Sequence, residues 1–168
     1  MATFQEHIEQ VKHNLRVLEK INECVPNSWD WQVTVSFYCS VHLVNAHLAK
    51  FSLQYRTHED VKHALNPKVQ LSVSKIPDEQ YIAYMSLVKL SRRSRYLVKA
   101  NDITAPNASK AYEIHFSKTL RHLENLLTFF SDKYGVVFTP ISVRCQNIKQ
   151  DELNHFNKIL FPFSQPQK

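Results

Sequence analysis

Glycine is almost missing from this chain: Gly135 is the only one among 168 residues. Average usage would place about a dozen glycines in a chain of this length. Glycine supplies the left-handed backbone conformations that tight turns, hairpins and phosphate-binding loops need. Its scarcity therefore argues against hairpin-rich folds and Gly-rich nucleotide loops, and it favours a chain that is mostly helical.

Composition narrows the class of protein further. Apolar residues make up 43% of the chain, and its length suits one domain with a real core. Three cysteines, none in CxxC spacing, argue against a disulfide framework or a zinc site and favour a reducing cytosol. The polar N-terminus lacks a signal segment, and no apolar run is long enough for a membrane span. We therefore expect a cytoplasmic protein without a membrane partner.

The apolar periodicity predicts four long helices, at residues 4–23, 29–53, 77–101 and 106–135. Thr3 and Glu6 form a capping-box pattern before the first helix, and Gly135 is placed to end the last one. The second helix is apolar over most of its circumference, so we expect it to be the buried, central helix.

Shorter elements fill the remainder of the predicted chain. A short helix should follow Thr57 and end before Asn66, and the connection 68–76 contains a brief extended piece at 69–73. Residues 136–143 suit an edge strand or a docked extended arm, because Pro140 interrupts their alternation. Residues 151–160 suit a last short helix, and residues 161–168 should be loose.

The predicted fold is therefore all-α: an antiparallel four-helix up-and-down bundle with extra short helices and a C-terminal extended arm. We expect one domain over residues 1–168, with a core at about 4–132 and an appendage at 136–168.

Three segments follow one another along the chain in an order typical of one superfamily. They read WDWQVTVSFYCSVHLVNAHLAKF (29–51), YRTHEDVKHALN (55–66) and YMSLVKLSRRSRY (84–96). Together they make residues 28–132 resemble the HEPN superfamily (higher eukaryotes and prokaryotes nucleotide-binding). The resemblance implies a helical bundle that is often dimeric. Members of the superfamily are RNA-cleaving toxins, partners of minimal nucleotidyltransferases, or non-catalytic nucleotide or RNA binders.

The densest basic cluster lies at the end of the third predicted helix, in a stretch without an acid from residue 86 to residue 101. Guanidinium groups suit phosphate oxygens, and a tyrosine ring can stack on a base. The alternative is a solvated face, or arginines paired with acids of neighbouring helices. With the resemblance, the cluster becomes the candidate nucleotide- or RNA-binding face: Lys89, Arg92, Arg93, Arg95, Tyr96 and Lys99.

Three polar residues, Tyr38, His42 and Asn45, share one face of the otherwise apolar second helix. Burying them unpaired would cost roughly 1–3 kcal/mol each, so they need partners. One interpretation is a satisfied core network. The other is a pocket floor that includes His58 and faces Arg56 or Arg92.

Arg56 and His63 match, as a bare pattern, the arginine and histidine of catalytic HEPN ribonucleases. In that family the motif lies on a later helix, and here the later segment has arginines without the matching histidine. The alternative interpretation is that both are helix-capping and surface residues. We therefore expect a non-catalytic module, with a metal-independent ribonuclease using Arg56 and His63 as the alternative.

The remaining expectations concern partners. The histidines miss the spacing of metal-binding helices, so no metal and no cofactor are expected. The net charge of +6 is compatible with an anionic ligand and also with simple solubility. The resemblance implies RNA or a nucleotide, a nucleotidyltransferase or antitoxin protein, and a homodimer. Aromatic residues in the tail also suggest self-association, because a short tail cannot bury them all: Phe138, Phe156, Phe161 and Phe163. A protein-interaction bundle is a second alternative.

Overall fold

The computed structural model describes residues 2–96 and 108–162. Four long helices and one short helix precede a short two-stranded sheet, so the predicted all-α bundle is confirmed. In chain order the elements are α1 (Phe4–Cys24), α2 (Trp29–Ala49), α3 (His58–Leu65), α4 (Asp78–Tyr96), α5 (Ala108–Tyr134), β1 (Ile141–Ser142), a 3-10 helix (Gln150–His155) and β2 (Ile159–Leu160).

The first helix begins at the predicted capping box. The Thr3 hydroxyl accepts a hydrogen bond from the Glu6 amide, and the Glu6 carboxylate accepts one from the Thr3 amide. These two bonds satisfy backbone donors that a helix start leaves open. The stripe that α1 buries in the bundle consists of apolar residues three and four apart: Ile8, Val11, Leu15 and Leu18.

Helix α2 is the central helix, as predicted, and it packs against α1, α4 and α5. Its buried residues occupy several sides of the helix and include Phe37, Leu43 and Val44. The predicted end at residue 53 is wrong, because α2 stops at Ala49. Ser52 adopts a left-handed backbone with φ of 58°, which turns the chain out of the helix direction before it can continue.

Serine side chains shape the connection between α3 and α4. The Ala64 carbonyl accepts hydrogen bonds from the Ser72 hydroxyl and, at 3.0 Å, from the Ser74 hydroxyl. Backbone bonds from Val69 to Asn66 and from Ser72 to Val69 close successive turns. The extended piece predicted at 69–73 is therefore wrong, because local turns satisfy the backbone groups that a strand would need to pair.

Two predicted helix ends fall outside the described residues. Helix α4 is described to Tyr96 and α5 from Ala108, so the predicted ends at 97–101 and 106–107 lie in the part that is not described. Gly135 has φ of 64° and directly follows α5, as predicted for a residue that ends a helix in the left-handed region.

The C-terminal residues form a docked arm, which we define as residues 136–162. Strand β1 pairs with β2 in parallel, with Ile141 opposite Ile159. The predicted helix at 151–160 is partly wrong: a 3-10 helix ends at His155 and an extended segment follows. The buried Glu124 carboxylate accepts amide hydrogen bonds from Asn157, Lys158 and Ile159, which holds that segment extended.

The arm buries most of its described aromatic residues against its own chain. Phe138 is 1% exposed and Phe156 is 8% exposed, and Phe161 contacts the Phe156 ring edge-on at 4.9 Å. The aromatic argument for self-association therefore fails for these three residues, whereas Phe163 lies outside the described residues. None of the helices in the described part of the chain combines the length and the apolar character that a membrane crossing needs.

Candidate functional site

The basic end of α4 is exposed over its described part. Lys89, Arg92, Arg93 and Arg95 all reach solvent, whereas Lys99 and the Tyr96 side chain lie outside the described residues. Among the described residues, no carboxylate forms an ion pair with Lys89, Arg92 or Arg93. The charges of these three side chains are therefore available to a ligand.

Arg95 is held against the bundle. Its guanidinium donates to the Ser91 hydroxyl at 3.2 Å, one turn earlier on the same helix. The guanidinium carbon lies 5.6 Å from the centre of the Phe37 ring, within the range of a cation–π contact. These contacts restrict a long side chain that would otherwise sample many rotamers, and they fix a positive charge beside α2.

The same Phe37 ring contacts two further aromatic side chains. The His58 ring lies 5.6 Å from it, and the exposed Tyr38 ring lies 5.7 Å from it. His58 is the first residue of α3, and the Thr57 hydroxyl caps that helix by accepting from the Asp60 amide. We call His58 and Arg95, which both contact Phe37 beside Tyr38, together with Arg92, which lies three residues before Arg95 on α4, the Arg–His cluster.

The electrostatics of the Arg–His cluster favour a neutral histidine. Partial burial of the His58 ring lowers its pKa, and the nearby positive charges of Arg92 and Arg95 lower it further. A neutral imidazole both donates and accepts hydrogen bonds. A bound anion would offset the two arginines, so anion binding and protonation of His58 are thermodynamically coupled.

The α4 cluster divides between two sides of the helix. The charges of Arg92 and Arg95 lower the pKa of His58, whereas the charge of Arg93 lowers the pKa of His115 on α5. Burial is the main cause of the lowered pKa of His115, and the charges of Arg93 and Lys118 add to it. The residues predicted as one binding face therefore lie on two neighbouring surfaces, one beside His58 and one beside His115. The surface beside His58 also carries the exposed Tyr38 ring.

The acid that follows His58 in the chain is already paired. Glu59 accepts a hydrogen bond from Lys62 at 2.7 Å, one turn along α3. This pair raises the pKa of Lys62, and the charge of Arg92 opposes that shift. Glu59 therefore directs its carboxylate to its own helix.

His42 finds its polar partner on α1. Its Nδ1 lies 3.1 Å from Nδ1 of His7 on α1, and one ring must donate while the other accepts. Burial lowers the pKa of both rings, so both are held neutral. The sequence pattern missed this pair, because the two residues are 35 positions apart and meet only when α1 packs on α2.

The residues of the predicted pocket differ in exposure. Tyr38 is 44% exposed, Asn45 is half-buried, and His58 is exposed. None of these residues, and not His42 either, lines the cavity beside α5 or the shallow one near the end of α1. The four residues therefore belong to neither of these two cavities.

Arg56 and His63 lie at the two ends of α3. Both side chains are exposed, with Arg56 just before α3 and His63 in its last turn. Among the described residues, neither side chain has a hydrogen-bond or ion-pair partner. Contacts between described residues therefore neither join these two side chains nor hold them in one orientation.

A cavity of about 540 Å³ lies between the first turn of α4, α5 and the arm. Arg121 donates to both oxygens of Glu152, at 3.0 and 2.7 Å, and this pairing lowers the pKa of Glu152 to about 2. Asn125 donates to Glu79 at 2.6 Å. The charged groups of this cavity thus mainly bind one another and the arm, which indicates a structural role.

No metal-ligand group occurs in the described part of the chain, and two of its three cysteines are withdrawn from solvent at least in part. There, no three His, Cys, Asp or Glu side chains are grouped so that they could hold a metal ion. Cys39 is fully buried, and burial raises the pKa of its thiol, as it raises that of Cys145 to about 11. Both thiols stay protonated near neutral pH and are poor nucleophiles.

We compared the chain with known protein families, curated proteins and solved structures. The chain matches no protein-family model, no curated protein and no solved structure.

Proposed function

We propose that this protein is a non-catalytic, HEPN-like module that binds RNA or nucleotides at the Arg–His cluster. The observation that carries the proposal is the grouping of Arg92 and Arg95 with His58 beside an exposed aromatic ring. Guanidinium groups bind phosphate oxygens in paired hydrogen bonds, and aromatic rings stack on bases.

The wider surface supports an anionic ligand. Lys89, Arg92 and Arg93 have no carboxylate partner among the described residues, and the chain carries a formal charge of +6. Unpaired surface arginines are compatible with solubility alone. Their position beside an imidazole and an exposed tyrosine ring is what favours a binding role, because a phosphate can accept hydrogen bonds from the guanidinium groups and from the imidazole N–H.

The test is binding of fluorescent RNA measured by anisotropy at several salt concentrations. We expect affinity to fall steeply with salt, because phosphate contacts release counterions. The variant Arg92→Ala/Arg95→Ala should bind more weakly and show a smaller salt slope, by about one unit for each phosphate contact that the substitutions remove. The control Arg16→Ala/Arg144→Ala removes the same charge from exposed positions away from the cluster and should bind normally.

A second readout is the titration of His58. A bound phosphate should raise its pKa, because it offsets the charges of Arg92 and Arg95. Two-dimensional NMR of the histidine ring, with and without a nucleotide, measures this shift. An unchanged pKa together with equal binding by both double variants would refute a site at the cluster.

The ribonuclease alternative needs Arg56 and His63 side by side at a cleft. Both are exposed and have no contact that joins them, so the described geometry does not favour this alternative. If Arg56→Ala or His63→Ala abolished an RNA-cleaving activity that the Arg92→Ala/Arg95→Ala variant retained, the ribonuclease would replace the binding module. Absence of any affinity for RNA or nucleotides at low salt would leave a protein-interaction role.

The proposed partners rest on the resemblance alone. They are a nucleotidyltransferase or antitoxin protein and a second copy of the chain in a two-fold dimer, in a cytoplasmic setting. Sedimentation at tens of micromolar protein tests the dimer, and a monomer under those conditions would contradict it.

A further inference from the structure

Helix α2 leaves one of its faces uncovered. The helix packs against α1, α4 and α5, and the remaining face carries residues three, four and seven positions apart. Trp31 is 62% exposed and Tyr38 is 44% exposed, whereas Val35 between them is half-buried and His42 beyond them contacts His7 of α1, so the open part of this face is the stretch from Trp31 to Tyr38. This α2 face therefore presents two large aromatic rings without a charged residue between them.

Trp31 is exposed because of its position on α2, since the other tryptophan of the same helix is packed against the bundle. Trp29, two positions earlier, packs its ring against Phe116 of α5 at 5.5 Å. Trp31 points away from that contact and is the most exposed aromatic residue among those described. A tryptophan ring is one of the largest apolar surfaces in proteins, so leaving it in water forgoes burial that a partner could supply.

The α2 face adjoins the Arg–His cluster at one end. Tyr38 contacts Phe37, and the Arg95 guanidinium and the His58 ring contact the same Phe37. A positive charge and an exposed ring thus both contact one phenylalanine ring. Seven residues of helix separate Trp31 from Tyr38, which corresponds to about 10 Å along the axis.

From this arrangement we infer that the ligand is a single strand of nucleic acid laid along α2. One base stacks on Tyr38 while the phosphates beside it contact Arg92 and Arg95, and a second base stacks on Trp31. The inference rests on the proposed function and names the form of its ligand.

Two other nucleic-acid forms fit the α2 face less well. A duplex keeps its bases stacked on one another, so their faces are closed to Trp31 and Tyr38. A mononucleotide has one base and cannot reach two rings about 10 Å apart. Stacking on aromatic rings tolerates any base and either sugar, so the inference covers RNA and DNA strands alike.

The experiment compares labelled oligonucleotides of about twelve nucleotides, within the usual site sizes for single strands. The probes are one RNA strand, the DNA strand of the same sequence, and the RNA duplex, with AMP as a competitor. We expect at least one single strand to bind about tenfold or more tighter than the duplex, and AMP to compete weakly.

Variants of the exposed ring separate stacking from general apolar contact. Trp31→Leu should weaken strand binding about 5- to 50-fold, whereas Trp31→Phe, which keeps an aromatic face, should retain most of the affinity. Tyr38→Leu provides an independent second test. The salt slope should stay unchanged in all three, because no phosphate contact is removed. Trp29→Phe is the matched control, and circular dichroism checks that each variant keeps its helicity.

The outcomes distinguish this inference from the proposed function. If the duplex binds as tightly as the strands, or if Trp31→Leu and Tyr38→Leu bind normally while Arg92→Ala/Arg95→Ala binds weakly, the strand inference is overturned and the binding module stands. If no oligonucleotide and no nucleotide binds, both are overturned.

Discussion

His47 of α2 and Tyr134 of α5 share a hydrogen bond of 2.5 Å between the imidazole Nδ1 and the phenol oxygen. Nε2 of the same ring lies 2.8 Å from the Ser74 carbonyl oxygen, which can only accept. Nε2 therefore carries the proton, and the Tyr134 hydroxyl donates to Nδ1. His47 is fully buried, so this neutral ring links α2, α5 and the connection before α4 inside the protein.

Removing this ring should destabilise the fold. His47→Ala leaves the Tyr134 hydroxyl and the Ser74 carbonyl without their partner and opens a cavity, so we expect a decrease of about 2–4 kcal/mol in the free energy of unfolding. Tyr134→Phe removes one of the two bonds and should cost about 1 kcal/mol. Urea denaturation measures both. The exposed His13→Ala serves as control and should change little; equal stability of His47→Ala and His13→Ala would contradict the network's role.

Stability should fall when the pH decreases below neutrality. Burial lowers the pKa of His7, His42 and His47 in the folded chain, whereas the unfolded chain protonates near pH 6.5. Between the ordinary and the lowered pKa, the unfolded state binds more protons, so the free energy of unfolding decreases there and levels off below the lowered pKa. Denaturation at about pH 7.5, 6.5 and 5.5, a range that brackets the ordinary histidine pKa, measures the slope of the free energy of unfolding against pH. His42→Asn should reduce it, and a pH-independent stability would contradict the prediction.

A carboxylate in the core of α2 should prevent folding. Val44 is 0% exposed, and an unpaired buried carboxylate costs several kcal/mol. We expect Val44→Asp to lose its helical circular dichroism signal or its cooperative thermal transition. The same substitution at Val137, which is 79% exposed, should leave both intact. A folded Val44→Asp protein would show that the packing around α2 is wrong.

The arm should detach when Glu124 is neutralised. Its carboxylate accepts amide hydrogen bonds from Asn157, Lys158 and Ile159, and an amide side chain offers one acceptor oxygen in place of two. For Glu124→Gln we expect faster hydrogen exchange at residues 157–159 and faster proteolysis within the arm. Asp132→Asn, an exposed carboxylate of the same helix, is the matched control. Unchanged exchange in Glu124→Gln would mean that β1 and the buried apolar residues hold the arm alone.

Local chemistry made the helical architecture predictable. The Thr3–Glu6 capping box, the left-handed Gly135 and the broad apolar surface of α2 all lie within a few residues of the structure they specify. The end of α2 was less predictable, because its apolar residues continue to Leu53, whereas the helix stops at Ala49 and the backbone turns left-handed at Ser52. The spacing of apolar residues predicts which residues favour burial, but it does not predict where the backbone leaves the helix.

The candidate site was predictable in composition and not in arrangement. Arg92, Arg95, His58 and Tyr38 were all identified as candidates, but in two separate groups. Packing of α3 and α4 on α2 brings them together around Phe37, and it moves Arg93 to the side of His115. The exposure of Trp31 could not be predicted either, because its apolar spacing matches that of buried neighbours on α2.

By itself the sequence determined the helices, their caps and the buried character of α2, because these depend on residues three or four apart. Only the tertiary structure decided that His7 meets His42, that Glu124 receives the arm, and that one face of α2 stays open beside the Arg–His cluster. Those contacts join residues far apart in the chain, and they depend on how each helix is rotated against its neighbours, which no local pattern encodes.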